Sequence, residues 1–187
     1  MSSIYDISTY VPSPGEDFFF DNNVWMYLYC PIGNYKQHVV SHYSGFLKKI
    51  IMARSNIYIS SLILSEFFNS YIRLEYNVLQ DGDPSKYRNF KKDFRGSKEY
   101  EKAMSFIKTT VNSQILKLSR RINDSFDGID MTDLMNRIET YDYNDKYIMK
   151  LSGMNGFKVV TNDIDYASCM HGVAIITANR KLISLSS

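Results

Sequence analysis

The chain has 187 residues, a formal net charge of +2 and 44% hydrophobic content, which fits one globular domain with a full core. No run of 18 apolar residues occurs, so no membrane-spanning helix is expected, and the start Met1-Ser2-Ser3-Ile4-Tyr5-Asp6 has no signal-peptide pattern. Two cysteines, Cys30 and Cys169, stand in no metal-binding spacing and fit reduced thiols of a cytoplasmic protein.

Residues 1–17 carry Pro12, Pro14 and Gly15 and read as a loosely held lead-in, with a single domain over 18–187. Phe18-Phe19-Phe20 is a short apolar run ending at Asp21-Asn22-Asn23, which predicts a central strand with an acid at its carboxyl end. Val24 to Cys30 reads as a short helix halted before Pro31. Val39, Tyr43, Phe46, Leu47, Ile50 and Ile51 recur at helical spacing and predict a helix over about 36–53. Asn56-Ile57-Tyr58-Ile59 is a second strand. Ser60 or Ser61 caps the helix that follows, whose buried stripe is Leu64, Phe67, Phe68 and Tyr71, with Glu66 off it near Ser70 and Arg73.

Asp81-Gly82-Asp83-Pro84-Ser85 breaks the chain, and a basic helical segment follows over about 86–122. Residues 86–121 hold eleven Lys and Arg against three acids, a local balance of +8 that leaves −6 for the remainder. Such asymmetry suits a polyanion-binding face beside an acidic site, and it equally suits a solvated helix face. Lys91, Lys92 and Arg95 are the candidate contacts to a nucleic-acid backbone. The helix within this segment is expected from about Ser97 to Ile122, with a connector over Asn123–Asp130 that holds a short strand near Phe126. Thr132 then caps a small helix running to Ile138.

The stretch Asp142–Tyr166 carries the chemistry. Asp142 and Asp145 are three apart at a helix start and can share one face. Gly156 stops that helix. Phe157-Lys158-Val159-Val160 is a buried strand, with Thr161, Asp163 and Asp165 just past its end. Val173-Ala174-Ile175-Ile176 supplies a last strand. Strands alternating with helices argue for a three-layer α/β/α sandwich on a parallel sheet, where sites form at the carboxyl ends of the strands. Asp21, Glu66, Asp145 and Asp163 are therefore expected to converge. Carboxylates gathered so closely repel one another unless a proton or cation is shared, and a divalent metal is the simplest resident.

Each acid also has an ordinary structural reading. Asp21 can form an Asx turn, Glu66 can be a solvated helix residue, Asp142 and Asp145 can favour the helix dipole, and Asp163 and Asp165 can be turn formers. His38 and His42 mimic a helical metal pair, but Val39 stands where the accompanying Glu would be, and both read as surface residues. Gly153–Gly156 has no Gly-Lys-Ser/Thr and is no phosphate loop, and no Gly-x-Ser-x-Gly elbow occurs.

With these residues in place, the chain resembles the PIN domain family of metal-dependent nucleases. The resemblance rests on Phe-Phe-Asp-Asn-Asn-Val-Trp at 19–25, Ile-Ser-Ser-Leu-Ile-Leu-Ser-Glu-Phe-Phe-Asn at 59–69, Asn-Asp-Lys-Tyr-Ile at 144–148 and Val-Val-Thr-Asn-Asp-Ile-Asp-Tyr at 159–166. It implies a sheet of strand order 3-2-1-4-5 and hydrolysis of RNA phosphodiester bonds with Mg²⁺ or Mn²⁺. Asp21, Asp145 and Asp163 would bind metal, Glu66 would bind metal or orient water, and Asn23 and Thr161 would orient the carboxylates. Asp142 and Asp165 are accessory candidates. RNA is the implied substrate, and an antitoxin protein or a second copy of the chain are the candidate partners. Small VapC-like toxins of the family are shorter between the second and third acids, where this chain carries its basic segment. Two alternatives stay open: a module that binds RNA or a protein without cleaving, and a phosphatase-like hydrolase with Asp21 as nucleophile, although the latter type wants a second acid where Asn23 stands.

Overall fold

The computed structural model describes residues 3–169 and 172–185. Its centre is β2 (Asp17–Phe20), whose Phe18, Phe19 and Phe20 are completely buried. A strand covered on both faces is apolar at successive positions rather than alternating, which is why this run reads as central. β2 pairs in parallel with β3 (Asn56–Ile59) on one side and β5 (Lys158–Val160) on the other. The sheet is completed by β4 (Arg120–Arg121) beside β3, by β6 (Ile175–Thr177) beside β5, and by β1 (Ile4–Asp6) beside β6. Every pairing is parallel, and helices flank the sheet in an α/β/α sandwich.

The strand order is β1-β6-β5-β2-β3-β4. It departs from the implied 3-2-1-4-5 by one strand: the five strands from β2 to β6 keep that order, and β1 adds a further edge. The lead-in over 1–17 is accordingly not loose throughout. Ile7 is buried, and Lys158 Nζ ties Glu16 and the Tyr10 hydroxyl to β5. A three-residue edge strand is too short to show an alternation, and its partner lies some 170 residues away in sequence, so nothing local marks it.

The helices follow their caps. α1 (Asn22–Tyr29) is capped by Asp21, whose carboxylate accepts from the Asn22 amide, and it buries Val24, Trp25 and Met26. α2 (Gln37–Ala53) buries Tyr43, Phe46, Leu47 and Ile50, while His38 is exposed and His42 half-buried on it. α3 (Ser61–Gly82) is capped by Ser60, which accepts from the Ile63 amide. α4 (Lys98–Thr110) runs through a π-helical turn at Val111–Ile115 into α5 (Leu116–Leu118).

Two further readings change here. The helix expected to reach Ile122 ends at Leu118, and the strand expected near Phe126 is β4 at Arg120–Arg121, extended by the Ile122 amide bonding Ile59 O at 3.1 Å. Phe126–Gly128 is a 3₁₀ turn instead. The ladder to β3 captures these residues, and two exposed arginines carry no periodic signal of it. The small helix α6 (Met131–Met135) is capped by Asp130 rather than Thr132 and stops before Ile138, because Asn136 leaves helical geometry at ψ 123°.

α7 (Tyr143–Asn155) and α8 (Arg180–Ser184) are the last described helices, and Asp142 caps α7. Gly156 ends α7 at φ +71°, in the left-handed region that side chains with a Cβ disfavour. This turn delivers the chain into β5 and so sets the spacing of Asp145 from Asp163. Gly156→Ala is expected to lower stability by about 1 kcal/mol, read as a lower denaturant midpoint at unchanged m-value.

Candidate metal centre

The carboxyl ends of β2 and β5 are neighbours, since Phe20 is in register with Val160. The residues just past them, Asp21 and Thr161, therefore meet. Thr161 is completely buried and acts as the hub. Its hydroxyl donates to Asp21 Oδ2 at 2.7 Å and accepts from the Asn23 amide at 3.0 Å and from the backbone N–H of Asp163 at 3.0 Å. Asn23 also donates to Asp21 Oδ2, and the Asn22 backbone donates to Asp21 Oδ1 at 2.6 Å. Asn23 Oδ1 in turn accepts the Asn162 amide at 3.2 Å. Both loops are thereby tied into one rigid platform.

Two helices bring the remaining acids. Glu66 lies in the second turn of α3, where Asn144 of α7 donates to its Oε1. Asp142 caps α7, accepting from the backbone N–H of Asn144 at 2.8 Å and of Asp145 at 3.4 Å, and this fixes where Asp145 points. Asp163 Oδ1 accepts from the Asp165 backbone at 3.0 Å, a turn that folds Asp165 back toward the strand end.

These residues line a cleft of about 310 Å³ built from Asp21, Asn22, Asn23, Glu66, Ser70, Asp142, Asn144, Asp145, Asp163 and Asp165. All four acids expected to converge, and all four accessory residues except the buried Thr161, form its wall. Six of the ten are acids and none is basic. Oxygens of Asp145, Asp163 and Asp165 lie within 4.8 Å of one another. Asp165, read from sequence as accessory, thus stands with the tightest group. Ser70, Asn22 and Asn144 escaped the sequence reading. Asn22 donates to Ser70 at 3.0 Å and Asn144 holds Glu66. Their signal was position alone: Asn144 sits between Asp142 and Asp145, and Ser70 is one helical turn beyond Glu66.

Lys91, Lys92 and Arg95 do not line the cleft. They belong to a π-helical turn at Phe90–Phe94 and its end, which is anchored by Phe90 packing on Tyr76 and under the Arg73 guanidinium. Those contacts fall seven and ten residues past Glu66 along α3, roughly 10 to 15 Å by helical rise. Phe94 is buried, whereas Lys91, Lys92 and Arg95 are exposed.

Crowding shows in the proton affinities. Burial pushes the Asp21 carboxyl up to about 6, against the opposing hydrogen bonds from Thr161 and Asn22 and with help from Asp163. Burial, then the Asp21 charge, push Glu66 up to about 7. Asp145 is pushed up to about 8 by burial and then by Asp21, Asp163, Asp142 and Glu66. These hard oxygen donors, with no cationic side chain among them, fit Mg²⁺ or Mn²⁺, which prefer carboxylates and water.

Neither a family model nor a curated protein matches the sequence. Among solved structures, the chain is similar to the VapBC2 assembly from Rickettsia felis bound to a DNA fragment from its promoter, with TM-score 0.51 and 17% identity over 86% of this chain and 98% of that one. It is also similar to PAE2754 from Pyrobaculum aerophilum, with TM-score 0.45 and 14% identity over 92% of this chain and 90% of that one. The first likeness speaks for the fold, and with the cleft described it defines the class: a PIN-like α/β sandwich carrying an acidic site at the carboxyl edge of its sheet. No described helix is long and apolar enough to cross a membrane.

The raised carboxyls set a sign for stability against pH. In the folded state they keep protons that the unfolded chain releases near pH 4, so the metal-free protein is expected to lose stability as pH rises from about 4 through about 8. Melting curves in chelator across this range should show the midpoint falling with pH. Asp145→Asn should flatten the fall, and Mn²⁺ should reverse it most strongly at the alkaline end.

Proposed function

We propose that the protein is a metal-dependent ribonuclease. The observation that carries this reading is the cleft itself: six acids with no basic partner, three of them within 4.8 Å, at the sheet edge where α/β folds place their sites. Asp145, Asp163 and Asp165 would hold the ion, with Asp21 and Glu66 beside them. When bound, a divalent ion supplies Lewis-acid chemistry at phosphate and makes water a better nucleophile near neutral pH.

The chain's own residues position the rest. Thr161 and Asn23 hold Asp21, and Asp142 aims Asp145 through the helix cap. Glu66 Oε1 is engaged by Asn144, which leaves Oε2 to orient a water molecule toward phosphorus. Asp21 is a poor nucleophile for the phosphatase alternative, because it is 5% exposed and both its oxygens already accept hydrogen bonds. A protein partner resembling an antitoxin belongs to the proposal as well, since the Rickettsia neighbour is itself such an assembly by name. The basic segment between Glu66 and Asp145 is the part of this chain that departs from small toxins.

The purified protein should cleave single-stranded RNA with Mn²⁺ and not with excess chelator. Asp145→Asn and Asp163→Asn should each reduce cleavage roughly a hundredfold or more, while Asn23→Ala should cost about 10- to 100-fold through ligand orientation. Normal cleavage by a stable, folded Asp145→Asn protein would rule the reading out.

The +8 segment is proposed to track the RNA backbone through Lys91, Lys92 and Arg95. Their joint replacement by Ala should weaken binding and reduce the slope of log affinity against log salt by about 2, since each lost phosphate contact on a single strand is worth about 0.7. An unchanged slope would assign these residues to solvent or to a protein partner.

A further inference from the structure

A second pocket, of about 400 Å³, lies against the acidic cleft and is lined by Ser61, Leu62, Ser65, Asp124, Phe126, Tyr143 and Tyr147. It shares both helical walls with the cleft. On α3, Ser65 faces this pocket and the next residue, Glu66, faces the acids. On α7, Tyr143 and Tyr147 face it, while Asp142, Asn144 and Asp145 face the acids. Asn144 and Glu66, hydrogen-bonded to each other, line the cleft side of these two helices.

The walls have an unusual chemistry for a surface hollow. Phe126 stands 57% exposed, and its ring lies 21° from parallel to Tyr147 at 6.4 Å between centroids. Tyr143 stands on the other contact of Tyr147, at 5.9 Å and 32°. Among them is the Asp124 carboxylate. Its Oδ2 accepts from the Ser61 hydroxyl, and the Tyr147 hydroxyl holds the Asp124 backbone carbonyl at 2.7 Å, so the residue is fixed in place. Its Oδ1 is buried and has no hydrogen-bond partner. A buried acceptor without a donor is costly, and a ligand N–H reaches it only if the carboxylate turns toward the pocket.

We infer that this pocket is a nucleobase subsite for the RNA strand whose phosphate lies in the acidic cleft, with Phe126 as the stacking platform and Asp124 as the acceptor. The inference rests on the nuclease reading. Flat aromatic faces stack any base, so stacking supplies affinity without choice. The carboxylate supplies the choice. Guanine offers two adjacent donors, N1–H and N2–H, to the Asp124 carboxylate, whose Oδ2 already accepts from Ser61. Uracil offers one N–H flanked by two carbonyls, which the carboxylate repels. Guanine is therefore the preferred base and uracil the disfavoured one. Phe126 and Asp124 are binding residues in this scheme and take no part in bond breaking.

The test separates this inference from the nuclease reading. In the first arm, the isotopically labelled full chain is titrated with guanosine and with uridine in chelator, and NMR shifts are followed. Neutral nucleosides avoid repulsion from the acids, and no metal or cleavage is needed. The expected result is guanosine-dependent shifts confined to 61–65, 124–126 and 143–147, weaker with uridine and lost in Phe126→Ala. In the second arm, cleavage of single-stranded RNA with Mn²⁺ is measured. Phe126→Ala, at an exposed position that the fold tolerates, should raise KM roughly tenfold with the loss falling on KM rather than kcat. Asp124→Asn, which keeps the shape, should narrow the preference for guanosine-containing substrates. Absence of nucleoside shifts, or equal response to uridine, overturns the subsite even where the parent protein cleaves RNA. Failure of the parent to cleave overturns the nuclease reading while the first arm still decides the subsite.

Discussion

Electrostatic repulsion among carboxylates at one sheet edge is the constraint around which the molecule is arranged. Asp21, Glu66 and Asp145 all have their proton affinity raised, and in each case burial is the first cause and neighbouring acids add to it. A fold holds such a group together only by over-determining it. Thr161 does this from beneath with three hydrogen bonds, and the Asp142 cap and the Asn144 amide do it from the helices. Removing an acid that caps no helix, such as Asp145, would relieve the repulsion.

The packing explains why the platform can be rigid. Three successive phenylalanines fill the centre of the sheet, and Phe157 stacks against both Phe19 and Tyr58 across it. Strands β2 and β5 end together because they pair in register, and so the loops that follow them emerge side by side. The site is thus a direct consequence of parallel pairing between two strands some 140 residues apart. The same pairing explains why acids that read individually as turn formers and helix caps become a common wall. Asp142 and Asp21 do serve as caps, so the structural and chemical readings of these residues are compatible.

The acidic cleft and the basic segment divide the molecule electrostatically. Glu66 and the turn bearing Lys91 and Lys92 are linked through α3, one near its start and the other packed on its later turns. A single rigid helix therefore holds a site that repels anions at a fixed separation from a surface that attracts them. A polyanion would be attracted by the basic surface and repelled by the cleft.

The sequence by itself determined the elements with strong periodic or capping signals. The phenylalanine run, the Asn56–Ile59 strand, the α2 stripe, the Gly156 stop and the order of acids along the chain are all local, and local physics suffices to read them. It could not supply β1, whose three residues form a strand only because β6 presents an open edge to them, nor β4, whose two arginines carry no β signal and are drawn into the ladder by β3. Nor could it rank Asp165 with Asp145 and Asp163, because that grouping depends on a turn after β5 and a helix start brought together in space. The aromatic pocket around Phe126 was likewise invisible, since Phe126, Tyr143 and Tyr147 meet across a connector whose course the tertiary structure sets. Local periodicity and capping are written in neighbouring residues, whereas pairing register and the meeting of side chains from distant loops are decided only when the whole core closes.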